Sequence, residues 1–239
     1  MQDEKYLNKF NKDILQLKSW TLSDRQLCDI EMILNGGFSP LDGFMNRKDY
    51  NSVCEKMRLE NNLLWPIPIT LDINDELVDT LEINEEIALR DKEGFVIAIL
   101  TIGDIWTPDK EKEAQQIYQT TDIFHPGVNT LLNETHSTYV GGTLKGIHYP
   151  KHYDYPQLRH TPQELRESFD NWGWKDIIAF QTRNPMHRAH IELTKRALNE
   201  KNAKLLIHPV VGLTKPGDVN HYTRVRCYKH IMNKYPKNM

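Results

Sequence analysis

Asp176-Ile-Ile-Ala-Phe-Gln-Thr-Arg-Asn-Pro-Met-His-Arg-Ala-His190 is the stretch on which the fold turns. Asp176 to Phe180 is an apolar run of strand length, Gln181 to Asn184 is polar, and Pro185 is expected to open a helix running to about Asn199. Lys204 to Val211 is strand-like again. Strand, helix and strand in that order predict a βαβ unit with parallel strands and a right-handed crossover. A further helix is expected from about Asn220 to Lys234. Parallel sheets are covered on both faces and normally hold more than two strands. The segment therefore reads as the first part of a doubly wound α/β domain, stopping where a third strand is due.

In open α/β sheets, ligands bind beyond the carboxyl ends of the strands, and Gln181 to His190 sits at such an end. With Asn184 as N-cap and Pro185 as first helical residue, the free backbone N–H groups and the positive end of the helix dipole would face the Gln181–Asn184 turn. An anion is expected there. His187 and His190 are three residues apart, hence on one helix face, and both could donate to one ligand. Paired imidazoles beside a polyphosphate can compensate charge developing on its oxygens, and Arg183 adds a planar fork suited to an oxyanion. A phosphate chain plus an acceptor anion is the combination this implies. Blander readings exist for each part. An H-x-x-H pair can hold a metal, but a third ligand is missing at this spacing, so no metal site is assigned. Isolated histidines and a lone arginine are ordinary surface or core residues; strand, turn, proline and two histidines together favour a site. Lys215, Arg224 and Arg226 could touch phosphate but read as a loop lysine and helix-surface arginines.

Towards the N-terminus, His148 to His160 is dense in Tyr, Pro and His and suits a connector packed on a surface. The domain boundary is placed there, giving 1–160 and 161–239. Thr161-Pro-Gln-Glu164 is a capping box opening a helix that ends before Trp172-Gly173. Further upstream, Ser23-Asp-Arg-Gln26 is another capping box, followed by Leu27, Ile30, Ile33 and Leu34 and stopped by Gly36-Gly37. A second amphipathic helix begins near Asn46 with Tyr50, Val53, Cys54 and Met57 as its stripe. Phe38 to Phe44 between them is read as a loop. Ile67 to Ile73, Ile87 to Arg90 and Phe95 to Thr101 look like strands, the last two forming a hairpin across Asp91-Lys-Glu-Gly94. Thr107-Pro108 starts another helix, and Asp122 to Gly146, with Pro126-Gly127 and Gly141-Gly142, reads as turn-rich. This first part is a mixed, β-rich domain.

The chain has 239 residues, 39% hydrophobic and 26% charged, which excludes disorder and collagen-like repeats. Thirty Lys plus Arg against 33 Asp plus Glu leave a net charge of -3, so no global field recruits nucleic acid or anionic lipid. Any anion site must be local. No basic leader and no apolar run long enough to cross a bilayer are visible, and the chain reads as soluble and cytoplasmic, with no membrane partner. Cys28, Cys54 and Cys227 have no disulfide or zinc spacing and are assigned a packing role in a reducing compartment.

Gln181 to His190, Leu206-Ile-His-Pro-Val-Val-Gly-Leu-Thr-Lys-Pro-Gly-Asp218 and His221-Tyr-Thr-Arg-Val-Arg226 closely resemble the ATP sulfurylase family. The resemblance extends through Ile30 to Phe44, Trp65-Pro-Ile-Pro-Ile69, His125-Pro-Gly127, Tyr139-Val-Gly-Gly142 and Thr161 to Arg166. It implies a PUA-like β-rich domain followed by a Rossmann-like nucleotidyltransferase domain, whose H-x-x-H is related to the H-x-G-H of class I aminoacyl-tRNA synthetases. It further implies Mg²⁺·ATP plus sulfate giving adenosine 5′-phosphosulfate and pyrophosphate, the entry step of sulfate assimilation. Thr182, Arg183, Asn184, His187 and His190 would be catalytic. Gln181, Thr182, Arg183, Asn184, His187 and His190 would bind ATP, and Gln181 and Arg183 would bind sulfate. Homo-oligomers are common in the family. Its members continue with a Gly-Arg-Asp-His segment forming a second wall of the pocket, which is not among these residues, so an incomplete catalytic domain is expected. No G-x-x-x-x-G-K-[ST] loop occurs, so no fused adenylylsulfate kinase is expected. The competing reading is a non-catalytic nucleotide- or RNA-binding module, disfavoured for RNA by the near-neutral charge.

Overall fold

A computed structural model describes residues 14–211 and 217–235. The chain divides into two compact units, Met1–Pro162 and Gln163–Met239.

The first unit is built on a six-stranded sheet. Its elements are β1 (Ser19–Thr21), α1 (Asp24–Leu34), β2 (Gly43–Phe44), α2 (Arg47–Lys56), β3 (Leu71–Ile73), the single turn α3 (Asp75–Val78), β4 (Glu86–Arg90) and β5 (Val96–Trp106). After these come α4 (Lys110–Tyr118), the short α5 (Pro126–Asn129) running into a π-turn at Thr130–Glu134, and β6 (Thr138–Gly146). The sheet order is β1-β4-β5-β6-β2, with β3 also on β6; β1 runs parallel to β4 and the other pairs are antiparallel.

Local chemistry accounts for the helix starts. Ser23 and Gln26 form the expected capping box, and Asn46 and Asp109 accept from the backbone N–H groups of Asp49 and Lys112. Helix α4 thus begins after Asp109, slightly later than Thr107-Pro108 implied. Ile30 and Ile33 of α1 and Tyr50 and Val53 of α2 pack with Ile87, Leu89, Leu100, Ile102, Trp106, Tyr139 and Val140 of the sheet in one buried cluster. Met57 does not join the α2 stripe: it is the left-handed C-cap at φ 52° and is 55% exposed. Cys54 is buried as expected, whereas Cys28 faces outward.

Two strands lie where the sequence reads as loop or turn. Gly43–Phe44 is β2, and the Gly141-Gly142 pair sits inside β6, the strand that β2, β3 and β5 all pair with. The glycines are there for close approach. A Cβ on Gly142 would lie 2.1 Å from the Thr101 carbonyl oxygen, and one on Gly141 2.3 Å from that of Met45, beside an irregularity in β5 between Ile102 and Asp104. Beyond β6, the Tyr- and His-rich connector is strapped to α1: Tyr149 donates its hydroxyl to the Leu34 carbonyl at 3.3 Å, and His152 Nε2 lies 2.9 Å from both Glu31 carboxylate oxygens.

The second unit contains α6 (Pro162–Asn171), β7 (Ile177–Thr182), α7 (Arg188–Lys201), β8 (Lys204–Pro209) and α8 (His221–Met232). β7 and β8 are parallel, in register from Ile177 against Lys204 to Thr182 against Pro209. This is the βαβ unit that the apolar, polar, apolar grammar predicts, with α7 as the crossover helix. Lys215 lies outside the described residues.

Candidate active site at the end of a parallel strand

Strand β7 runs two residues further than its apolar run, so Gln181 and Thr182 belong to its last turn of pleat, paired with His208 and Pro209. The chain then bends at Arg183 and Asn184. Asn184 donates its backbone N–H to Thr182 Oγ1 at 3.1 Å, a local turn that competes with helix formation.

The helix starts later than the sequence implied. Neither Asn184 nor Pro185 begins it; α7 begins at Arg188 with His187 as N-cap, at φ −86° and ψ 168°. A residue before proline is disfavoured in the helical region, and Asn184, which precedes Pro185, lies in a bend outside the helix. Met186, 7% exposed, anchors the next step in packing. The change redraws the site. The positive end of the helix dipole, with the N–H groups of the first turn, falls beside the imidazoles instead of beside Asn184.

His187 donates its backbone N–H to His190 Nδ1 at 3.2 Å. With Nδ1 accepting, the neutral His190 ring carries its proton on Nε2, which leaves an N–H donor at the far side of the ring. The two rings have centroids 4.9 Å apart at 44°, and the Phe180 ring centroid lies 5.5 Å from that of His190. An N-cap and the N3 residue of one helix are thus brought together by the cap itself.

Arg183 is half in solvent, with Nη2 3.9 Å from Asp218 Oδ1. Gln181, Arg183, Asn184 and His187 are exposed and Thr182 and His190 intermediate, so the corner is open to an incoming ligand. Donors dominate it: a guanidinium, a Gln amide, imidazole N–H groups and helix N–H groups. Such a set suits phosphate and sulfate oxygens, not a hydrated hard cation, which wants carboxylates and carbonyls. Among the described residues no group of three His, Cys, Asp or Glu converges as a metal site.

Arg224 is not on the helix surface; it is 1% exposed, and Nη1 donates to the Arg183 carbonyl at 2.7 Å and to the Val210 carbonyl at 2.8 Å. Its i+4 neighbour Tyr228 donates to the carbonyls of Thr182 and Asn184. The signal was available: with Val225, these two mark the buried stripe of α8 at i, i+1 and i+4. A charged residue in that stripe masks it. Arg226 is exposed, as expected.

Comparison with known proteins places these features in a class. A family model described as a PUA-like domain matches residues 1–149, and one described as ATP-sulfurylase matches residues 156–239. A PUA-like domain is therefore followed by an α/β domain of the ATP-sulfurylase type. Sulfate adenylyltransferase of Kluyveromyces lactis is 54% identical over 93% of this chain and 44% of its own length. Those of Saccharomyces cerevisiae and Schizosaccharomyces pombe are 53% and 48% identical, over 92% and 99% of this chain and 43% and 49% of theirs. A solved structure, described as the hexameric APS kinase from Thiobacillus denitrificans, superposes with a TM-score of 0.76 at 33% identity, over 95% of this chain and 41% of that one. The chain belongs to the ATP sulfurylase family, and it spans less than half the length of the curated relatives it matches.

Proposed function

We propose that this chain carries the nucleotide- and sulfate-binding corner of a sulfate adenylyltransferase, converting ATP and sulfate to adenosine 5′-phosphosulfate and pyrophosphate. The observation that carries the reading is the pair of imidazoles 4.9 Å apart at the start of α7, beside the open Gln181–Asn184 turn. Donors gathered at the end of a parallel strand are what two anions in one site require.

In the reaction, a sulfate oxygen attacks the α-phosphorus of ATP. A new S–O–P bond forms as the bond from the α-phosphorus to the bridging oxygen breaks, and the electron pair leaves with pyrophosphate. Both reactants are anions, so the protein's contribution is orientation and charge compensation, with no covalent intermediate on a side chain. Arg183 and the Gln181 amide hold sulfate. Thr182, Arg183 and Asn184 form the turn that lines up the two reactants, and Gln181 to Asn184 with both histidines line ATP. His190, its proton on Nε2, and His187 donate to phosphate oxygens as negative charge builds there. Magnesium enters as part of the Mg·ATP substrate, neutralising the β- and γ-phosphates, and is not assigned a resident site on this chain.

Similarity to the curated sulfate adenylyltransferases over more than nine-tenths of the chain supports this reading over a purely binding role for the PUA-like domain. Location in the cytoplasm and assembly of several copies belong to the same proposal; among the described residues no helix is long and apolar enough to cross a membrane. Calorimetric titration with adenosine 5′-phosphosulfate and with Mg·ATP tests the site directly. Binding of both, weakened by Arg183→Ala, is expected. Absence of binding in the unsubstituted protein, or equal binding by the variant, removes the reading.

A further inference from the structure

Helix α8 presses two buried side chains against the backbone of the β7–α7 turn. Arg224 takes the carbonyl of Arg183 and, with the same nitrogen, the carbonyl of Val210 just after β8. Tyr228, one helical turn on and hence on the same face, takes the carbonyl of Asn184 and, at 3.4 Å, that of Thr182. Val210 closes the arrangement by donating its N–H to the Thr182 carbonyl at 3.0 Å. Three successive carbonyls of the turn are thus committed to one element.

This is a costly way merely to fill space. A guanidinium removed from water needs its donors satisfied, and Arg224 Nε has no partner among the described residues. Among the described residues its acceptors, the Arg183 and Val210 carbonyls, are both backbone groups and neither is a carboxylate. Leucine or methionine would pack the same position without that penalty. What an apolar residue cannot do is set peptide planes. In a trans peptide the carbonyl and the following N–H point to opposite sides, so tying the Arg183 carbonyl to α8 turns the Asn184 N–H away from it, where Thr182 Oγ1 accepts it. The orientation of the turn that carries Arg183 is then fixed from beneath, while the Arg183 side chain stays at the open surface.

We propose that Arg224, supported by Tyr228, is a positioning residue of the oxyanion corner: it locks the Thr182–Asn184 backbone so that Arg183 and Gln181 converge on the bound anion. The clamp is read from geometry; its role towards a ligand rests on the adenylyl-transfer reading above.

Hydrogen exchange at single-residue resolution, together with adenosine 5′-phosphosulfate titration, separates the two. Arg224→Ala and the milder Tyr228→Phe are compared with Arg224→Lys, which keeps the charge but not the planar fork. In the ligand-free variants, the amides of Arg183, Asn184 and His187 should exchange about tenfold faster, with Ile178, Phe180 and Leu206 within about twofold of the unsubstituted protein. Affinity for adenosine 5′-phosphosulfate should fall by about tenfold in Arg224→Ala and by less in Arg224→Lys, as expected for lost preorganisation. Unchanged exchange at the turn overturns the clamp, and so does acceleration shared equally by the strand amides, which would mark Arg224 as plain structural support. Faster exchange at the turn with unchanged affinity overturns its positioning role. If the unsubstituted protein binds no adenosine 5′-phosphosulfate, the adenylyl-transfer reading fails instead, and the exchange comparison still decides whether Arg224 holds the turn.

Discussion

Asp29 on α1 lies 2.9 Å from Arg25 Nη1, yet burial holds its carboxyl up at about 6. The pairing is diluted because Arg25 also reaches Asp72 Oδ1 and the Thr70 carbonyl, and the Asp72 charge itself disfavours ionisation of Asp29. A carboxyl whose folded value lies above its unfolded one stabilises the fold fully only below about pH 4, and that contribution is lost as pH rises through about 6. Asp29→Asn should therefore gain on the unsubstituted protein by on the order of 2 kcal/mol between pH 4 and pH 7. Urea midpoints of the first unit, followed across that range, read the difference; a gap that does not change with pH contradicts it. Under the proposed function, Arg183 is a donor to the bound anion. In an assay that follows pyrophosphate release from ATP and sulfate, Arg183→Ala should lower the rate about 10²–10³-fold, the usual loss when one donor to a developing oxyanion is removed. A rate within a factor of two or so of the original would show that Arg183 faces no reacting group.

At the level of elements, the closest fit in the first unit is where β2, β5 and β6 meet. Replacing Gly142 with alanine drives a methyl group into the Thr101 backbone carbonyl, which cannot step aside without parting β5 from β6. A loss of about 3 kcal/mol or more is expected, the range of core overpacking with backbone displacement. Far-ultraviolet circular dichroism and thermal melts measure it, and a midpoint within a degree or two of the original refutes it. That strand also shows what a sequence can hide. Gly-Gly is ordinarily punctuation, and only the approach of two other backbones turns it into the middle of a strand. Capping chemistry was legible at Ser23 because it acts over three or four residues, and Pro162 opens its helix as the sequence implies. The parallel pair β7 and β8 was legible from its apolar runs. The start of α7 was not, because the preference of Pro185 for a first helical turn competed with two other local arrangements, the Thr182 to Asn184 turn and the His187 to His190 cap, and short-range pattern alone does not rank the three. Arg224 escaped notice for a related reason: its partners are carbonyls 14 and 41 residues away, and nothing in its neighbourhood in sequence names them.

Across the whole chain, the two units are supported very differently. The first buries a cluster running from Leu22 to Val140 on a six-stranded sheet. Among the described residues, the second has a two-stranded sheet whose residues are intermediate or exposed, with Met186, Leu198, Ala203, Val225 and Tyr228 as its buried apolar side chains. A pair of parallel strands covered this thinly is near the lower limit of independent stability. Unfolding in urea should therefore be biphasic, with Gln163–Met239 opening first. Trp172 and Trp174 report the second unit, and Trp20, Trp65 and Trp106 the first, so single-tryptophan variants separate the transitions. Because the residues proposed to bind ligand all belong to the second unit, adenosine 5′-phosphosulfate at about a hundred times its dissociation constant should stabilise the early transition by about 2.7 kcal/mol and leave the late one unmoved. Coincident transitions would mean that the units unfold as one. A shift confined to the late transition would put the ligand on the PUA-like domain and away from the paired imidazoles.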